Sequence, residues 1–226
     1  MRTTHVSILI PKAQLDKTPN IGVLFIYILL ALFIGFRSVY ENLKINIIDS
    51  TVVVANEVAE TCKLQIGGET TITHNAVCNS TFWFRGTSPY LEILKDAKVS
   101  ITTTRDIAYA DSYINITLNE NASLNIKSKY GFFRNNAHQA SSILLDKSSN
   151  LAIIQTQTNG SYATLSCRGD FTINENASLY MKVNYTNTAP LILFNTTSST
   201  FNMNNPRLWC FNSKNWTRNK LWLEKI

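Results

Sequence analysis

The sequence predicts an all-β chain folded as a parallel β-helix and preceded by one N-terminal transmembrane helix. Three observations carry this reading. The stretch Thr117-Leu-Asn-Glu-Asn-Ala-Ser-Leu124 returns almost unchanged as Thr172-Ile-Asn-Glu-Asn-Ala-Ser-Leu179. From Lys63 onward, short apolar-alternating runs recur roughly every ten residues. Near the N-terminus, Ile21–Phe36 runs without a charge.

The two copies define the structural unit. Ile114, Ile116 and Leu118 lead into the first copy, and Leu124 and Ile126 leave it. Phe171 and Ile173 lead into the second, and Leu179, Met181 and Val183 leave it. Alternation with period 2 puts these side chains on one face of each strand. Asn-Glu-Asn-Ala-Ser between two strands is corner chemistry, because Asn accepts left-handed backbone angles and bonds to its own main chain. A unit that recurs in the same direction marks a repeat architecture.

Taken in order, residues 1–20 read as a polar cytoplasmic tail in which Pro11 and Pro19 break any helix. Residues 21–40 read as a transmembrane segment. Its uncharged part is slightly short of the ~20 residues of a full span, and Val39 and Tyr40 extend it across Arg37. Arg2, Lys12 and Lys17 precede it against Asp16, so the positive-inside rule keeps the N-terminus in the cytoplasm and exports the rest. No small-x-small cleavage site follows closely, which favours an uncleaved signal-anchor over a removed signal peptide. Residues 41–60 read as a linker and a cap, since stacked repeats need protected ends. Ser38–Asp49 fits a short helix or a first strand (Lys44-Ile-Asn-Ile-Ile), and Thr51–Ala55 is a β-branched run.

Residues 61–226 read as the β-helix domain. Its first strands are Lys63–Ile66, Thr70–Thr73, Thr81–Phe84, Tyr90–Ile93, Val99–Thr104, Ile114–Leu118 and Leu124–Ser128. Ile143–Leu145, Leu151–Thr156, Ala163–Ser166, Phe171–Ile173, Leu179–Val183, Leu191–Phe194, Phe201–Met203 and Leu208–Phe211 follow. Asn, Gly, Ser or Asp separates the runs, as turns require. Such strands suit a sandwich, a barrel or a β-helix. The translational repeat favours the β-helix, as do Asn-rich corners able to stack into ladders. Asn159-Gly160 is the exception to a scarcity of two-residue hairpin turns.

Composition points outside the cell. Only 16% of residues are charged, and Asn, Ser and Thr fill the polar positions. The net charge of +6 is spread out; it suits contact with an anionic polymer and argues weakly for nucleic acid. Cys62, Cys78, Cys167 and Cys210 read either as two disulfides or as buried small hydrophobes. By proximity the natural pairs are Cys62–Cys78 and Cys167–Cys210, although four cysteines allow three pairings.

Further residues carry a family resemblance. These are Gly169-Asp-Phe-Thr-Ile-Asn-Glu-Asn-Ala-Ser-Leu, then Ala189-Pro-Leu-Ile-Leu-Phe, then Ser199-Thr-Phe-Asn-Met-Asn-Asn-Pro-Arg-Leu-Trp-Cys-Phe-Asn. This succession resembles the pectate-lyase-like adhesive domain of Gram-positive bacterial surface proteins, over about Val99–Asn215. The resemblance implies a right-handed parallel β-helix at the cell surface, adhesive and without lyase activity. The chain departs from larger members in lacking a wall-sorting sequence and tandem domains.

Two function classes follow. The first is a cell-surface adhesive or interaction domain, joined to the membrane by residues 21–40 and binding a host or wall glycan or a matrix protein. It needs no cofactor and no nucleic acid. Its candidate contact residues are Trp209, Trp216, Trp222, Arg218 and Lys220, since basic and aromatic side chains together stack on sugars; the same residues would also suit an end cap. The second class is a carbohydrate-active β-helix enzyme, a polysaccharide lyase or glycoside hydrolase. No D-x-D or D-D pair occurs beyond the apolar segment, but stacking could align Glu120 and Glu175 as a carboxylate pair. His74 and His138 stand near no evident acidic partner, which leaves a triad or zinc site poorly supported. Arg168-Gly-Asp170 spells an integrin-type tripeptide of a length that chance readily supplies. N-x-Ser/Thr sequons begin at Asn79, Asn115, Asn121, Asn159, Asn176, Asn184, Asn195 and Asn215, and a composition rich in these residues also produces them.

Overall fold

Strand ladders among the described residues of this computed structural model all run parallel. The structure describes residues 5–9, 44–54, 59–61, 63–75, 80–86, 88–110, 112–133, 139–157, 163–183, 191–194, 196, 199–205, 207–212 and 223–225. Among them there is no helix, and none long and apolar enough to cross a membrane. The expected transmembrane helix at 21–40 lies outside the described residues.

The chain winds as a β-solenoid with three faces. The first face stacks Lys44–Ile48, Lys63–Gly67, Tyr90–Ile93, Ile114–Leu118, Ala140–Leu145, Phe171–Ile173 and Phe201–Met203. The second is a seven-stranded sheet: Thr51–Val54, Glu69–His74, Lys98–Thr103, Ser123–Ser128, Asn150–Gln155, Ser178–Val183 and Arg207–Asn212. The third begins as the three-stranded sheet Ala59–Thr61, Phe82–Phe84 and Ala108–Ala110. Backbone bonds carry it onward, Ala108 N to Phe132 O at 2.9 Å, Phe132 N to Thr164 O at 2.8 Å and Leu165 N to Leu191 O at 3.1 Å. Through Ala140 and Cys167 its later strands, Leu165–Cys167, Ile192–Phe194 and Leu223–Lys225, also join the first face.

Stacking aligns like with like. Leu64, Leu91, Ile116, Ile143 and Phe171 are partners in consecutive coils of the first face, and Val99, Leu124, Leu151 and Leu179 in the second. All nine are buried. Each buried side chain of this kind stabilises by about 1.5–3 kcal/mol, so the columns are the main source of cohesion. The third inward position of the second face departs from this pattern, holding buried His74, Thr103, Ser128 and Gln155. They serve the bend toward the third face. Gly131 N donates to Ser128 Oγ at 3.0 Å, and Thr164 Oγ1 donates to Gln155 Oε1 at 2.8 Å.

Between the first and second faces stands one corner, built four times. Leu94–Ala97, Asn119–Ala122, Asp146–Ser149 and Asn174–Ala177 each close a turn through an N–H to C=O bond of 3.0–3.1 Å. The third residue of each is left-handed: Asp96, Asn121, Ser148 and Asn176, with φ of 58–60°. This is the type II requirement, which Asn meets at low cost. The fourth is a small buried residue, Ala97, Ala122, Ser149 or Ala177. The repeated Asn-Ala-Ser-Leu therefore reads as left-handed corner, buried small residue, outward residue and inward residue.

The parallel stack reaches back to Lys44–Ile48, which pairs with Lys63–Gly67, so the stretch expected as linker and cap already carries coil strands. His5–Leu9 pairs in turn with Lys44–Ile48. This strand lies within residues 1–20, read from the sequence as a polar tail.

Candidate binding face

Alternation decides which aromatics face outward on the third face. In Phe82-Trp83-Phe84 both phenylalanines are buried, which turns Trp83 out; in Ala108-Tyr109-Ala110 both alanines are buried, and Tyr109 is 39% exposed. Trp83 and Tyr109 are register partners in adjacent coils. Their rings meet edge to face at 5.2 Å, and the Arg85 guanidinium lies 4.6 Å from the Trp83 ring centre. Beneath them Phe82 N donates to Ile107 O at 2.9 Å, and buried Ser80 Oγ donates to Asp106 Oδ2 at 2.7 Å, which fixes the two coils together.

Both edges of the face repeat the same chemistry. Toward the second face, the Tyr130 ring has Arg105 at 5.2 Å and Lys129 at 5.0 Å. Toward the first face, Tyr113 is 41% exposed beneath the Arg168 guanidinium at 4.5 Å, and Arg168 Nη1 donates to the Tyr113 hydroxyl. Four aromatic rings and four cations thus form one band around the third face. A cation over a ring contributes about 0.5–1 kcal/mol at an exposed site. These contacts fix guanidinium planes whose geometry suits carboxylate and sulfate.

The corner is the other place where charged groups converge. Its second position reads Lys95, Glu120, Lys147, Glu175, alternating in sign. Lys95 Nζ meets Glu120 Oε2 at 2.6 Å, and Lys147 Nζ meets Glu175 Oε2 at 3.4 Å. The hydrogen bond to Glu120 and its charge raise the Lys95 pKa. Glu120 and Glu175 do share a repeat position, yet they stand two coils apart, about 10 Å at ~4.8 Å per coil. Lys147 occupies the coil between them. The charges alternate along the stack, so this column forms an ion ladder. Beside it the expected Asn ladder forms: Asn204 Nδ2 donates to Asn174 Oδ1 at 3.2 Å, and Asn174 Nδ2 to Asp146 Oδ1 at 3.1 Å. No group of three His, Cys, Asp or Glu residues is placed to hold a metal ion among the described residues.

Other candidates fall as follows. Cys167 is a free, buried thiol, so the bridge to Cys210 that proximity suggests is corrected; Cys167 serves as a buried small residue. The reason is topological. Cys167 is on a strand paired with Ile192–Phe194, whereas the register sets Cys210 beside Met181 on the second face. Burial pushes the Cys167 pKa up to about 12. Cys62 and Cys78 lie outside the described residues, as do Trp216, Arg218, Lys220 and Trp222. Trp209 pairs with Tyr180 on the second face. In Arg168-Gly-Asp170 both charges are engaged within the molecule, Arg168 on Tyr113 and Asp170 Oδ1 accepting from Thr200 Oγ1 at 2.5 Å. His74 lies in the core with Nδ1 3.1 Å from Thr81 Oγ1, and His138 lies outside the described residues.

The signal for the band was present in the sequence as large outward residues between buried ones, Phe-Trp-Phe and Ala-Tyr-Ala. It went unread because neither three-residue run shows that the two stack. No family model matches the chain, and neither a curated protein nor a solved structure does.

Proposed function

We propose that the chain is a non-catalytic adhesive or interaction domain of the cell surface, a right-handed β-helix of the pectate-lyase-like adhesive kind. The observation that carries this reading is the third face, where outward aromatics meet cations on a stack of parallel coils. Sequence resemblance over Val99–Asn215 supports it, as does a surface built from Asn, Ser and Thr. The right hand of the helix is what that resemblance implies.

Residues 21–40 attach the domain to the membrane, with the helix outside. In that state residues 5–9 and 44–48 lie on opposite sides of the bilayer. Insertion therefore exchanges the pairing of His5–Leu9 with Lys44–Ile48 for burial of the apolar segment.

The test is to present the full chain in detergent micelles to an array of glycans and matrix proteins, with product analysis of every glycan it retains. Retention without cleavage supports the reading. Cleavage of a retained glycan, or retention of nothing on the array, would overturn it.

A further inference from the structure

We infer that the later coils of the second face dock on an anionic lipid surface. This goes beyond the adhesive reading, since it assigns a different face and a different partner.

Outward residues of the second face stand in columns, and their chemistry changes along the stack. In the early coils Thr71, Ser100 and Thr102 are exposed hydroxyls, and Lys98 Nζ closes an ion pair with Glu69 Oε1 at 3.6 Å. From Ser123–Ser128 onward the face turns basic and apolar. Lys127, Ile154 and Lys182 are register partners in consecutive coils, and all three are exposed, Ile154 to 36%. The column beside them passes from Asn125 through Ala152 to Tyr180. The next strand continues both columns, with Trp209 in register with Tyr180 and Phe211 with Lys182.

Charge within this patch is left unbalanced. Among the described outward residues of the face the one carboxylate is Glu69, which belongs to Lys98. Lys127 and Lys182 enter no ion pair among the described residues. They stand two coils apart, about 10 Å at ~4.8 Å per strand, with Ile154 between them. A partner that fits must bring negative charge and also take an aliphatic side chain.

Those two demands select among partners. A nucleic acid or an acidic glycan would meet the lysines and leave Ile154 in water. A second copy of the patch would set like charges against each other. An anionic bilayer meets both demands: its phosphates attract the ammonium groups, and its interfacial layer accepts aliphatic and aromatic side chains. The lipid contact is separate from the proposed attachment through residues 21–40, which precede the coils in the chain.

The experiment reconstitutes the full chain with vesicles of phosphatidylcholine alone, or of phosphatidylcholine and phosphatidylglycerol in equal parts. Flotation reads attachment, and lysine acetylation followed by mass spectrometry reads the face. Lys127 and Lys182 should react about fivefold more slowly on the anionic vesicles than on the neutral ones. Lys147, at the corner, should react alike on both. Ile154→Asp should return Lys127 and Lys182 to their reactivity on neutral vesicles, and melting confirms that the variant is folded. The comparison of the parent on the two vesicles stands without it.

Equal reactivity of Lys127 and Lys182 on both vesicles would overturn the inference, as would full protection in folded Ile154→Asp. Protection by heparin or oligothymidylate, with none by anionic vesicles, would assign the face to a soluble polyanion and also overturn it. If the chain floats with both vesicles while the two lysines react alike, attachment through residues 21–40 stands and this face falls. If it floats only with anionic vesicles and both lysines are protected, that attachment falls and this face stands.

Discussion

Asn121 and Asn176 hold the same left-handed backbone, φ 59° and 58°, at the same corner of the solenoid. Each is followed by a buried alanine and then by an inward leucine. The corner is therefore a fixed conformation that four different residues satisfy to different degrees, and Ser148, with φ 59°, is the least suited of them.

Replacing Ser148 tests this directly. Ser148→Asn should stabilise the fold by a few tenths of a kcal/mol, and Ser148→Val should destabilise it by roughly 1–2 kcal/mol, since a β-branched residue tolerates positive φ poorly. Urea denaturation of the two variants decides it; equal midpoints would show that the corner is not held left-handed.

Asn174 links three coils by accepting from Asn204 and donating to Asp146. Asn174→Ala should cost about 1–2 kcal/mol, two hydrogen bonds at ~1 kcal/mol each, discounted for partial exposure. Asn174→Asp sets a carboxylate against that of Asp146. Like charges raise both pKa values, so the penalty should be present at neutral pH and shrink as the pair protonates in acid. Denaturation of this variant at pH 7 and pH 3, each referenced to the parent, reads the sign.

Inward and outward aromatics of the third face should separate by stability. Phe132 is fully buried, with its ring 4.8 Å from that of Phe133. Phe132→Ala should cost about 3–5 kcal/mol, whereas Tyr109→Ala should stay within about 0.5 kcal/mol. Thermal melts showing comparable losses for both would remove the inward–outward assignment on which the binding band depends.

Cys167 gives a prediction for alkaline pH. Its thiol ionises near 9.0 when unfolded and near 12 in the fold, because burial disfavours the thiolate. Between those values the unfolded chain releases a proton that the folded chain keeps. This group's contribution is therefore fully present below pH 9 and is lost as pH rises toward 12, by up to ~1.4 kcal/mol per pH unit. The difference in stability between the parent and Cys167→Ala should be flat from pH 7 to 9 and change above that. At pH 8 the native thiol should resist maleimide and react once unfolded. Rapid native labelling would mean that the site is open.

Much of the architecture was legible because it depends on local chemistry. Period-2 alternation fixed which residues of Ile114–Leu118 and Ser123–Ser128 face inward, and Asn-Glu-Asn-Ala-Ser between them marked a corner. The strand Ala108–Ala110 escaped notice because two alanines around a tyrosine carry little apolar contrast. His74, Thr103, Ser128 and Gln155 escaped because their partners, such as Thr81 and Thr164, lie across a bend.

By itself, the sequence determined the strand content, the direction of the repeat and the chemistry of the corners, since these follow from neighbours a few positions apart. Only the tertiary structure decided which residues of different coils meet. It put Lys147 between Glu120 and Glu175, left Cys167 unpaired, and brought Trp83 to Tyr109 and Arg168 to Tyr113. The physical reason is that contacts between coils depend on the number of residues in each turn of the solenoid. That number varies from coil to coil with the loops between the faces, and it is set by how the whole chain packs.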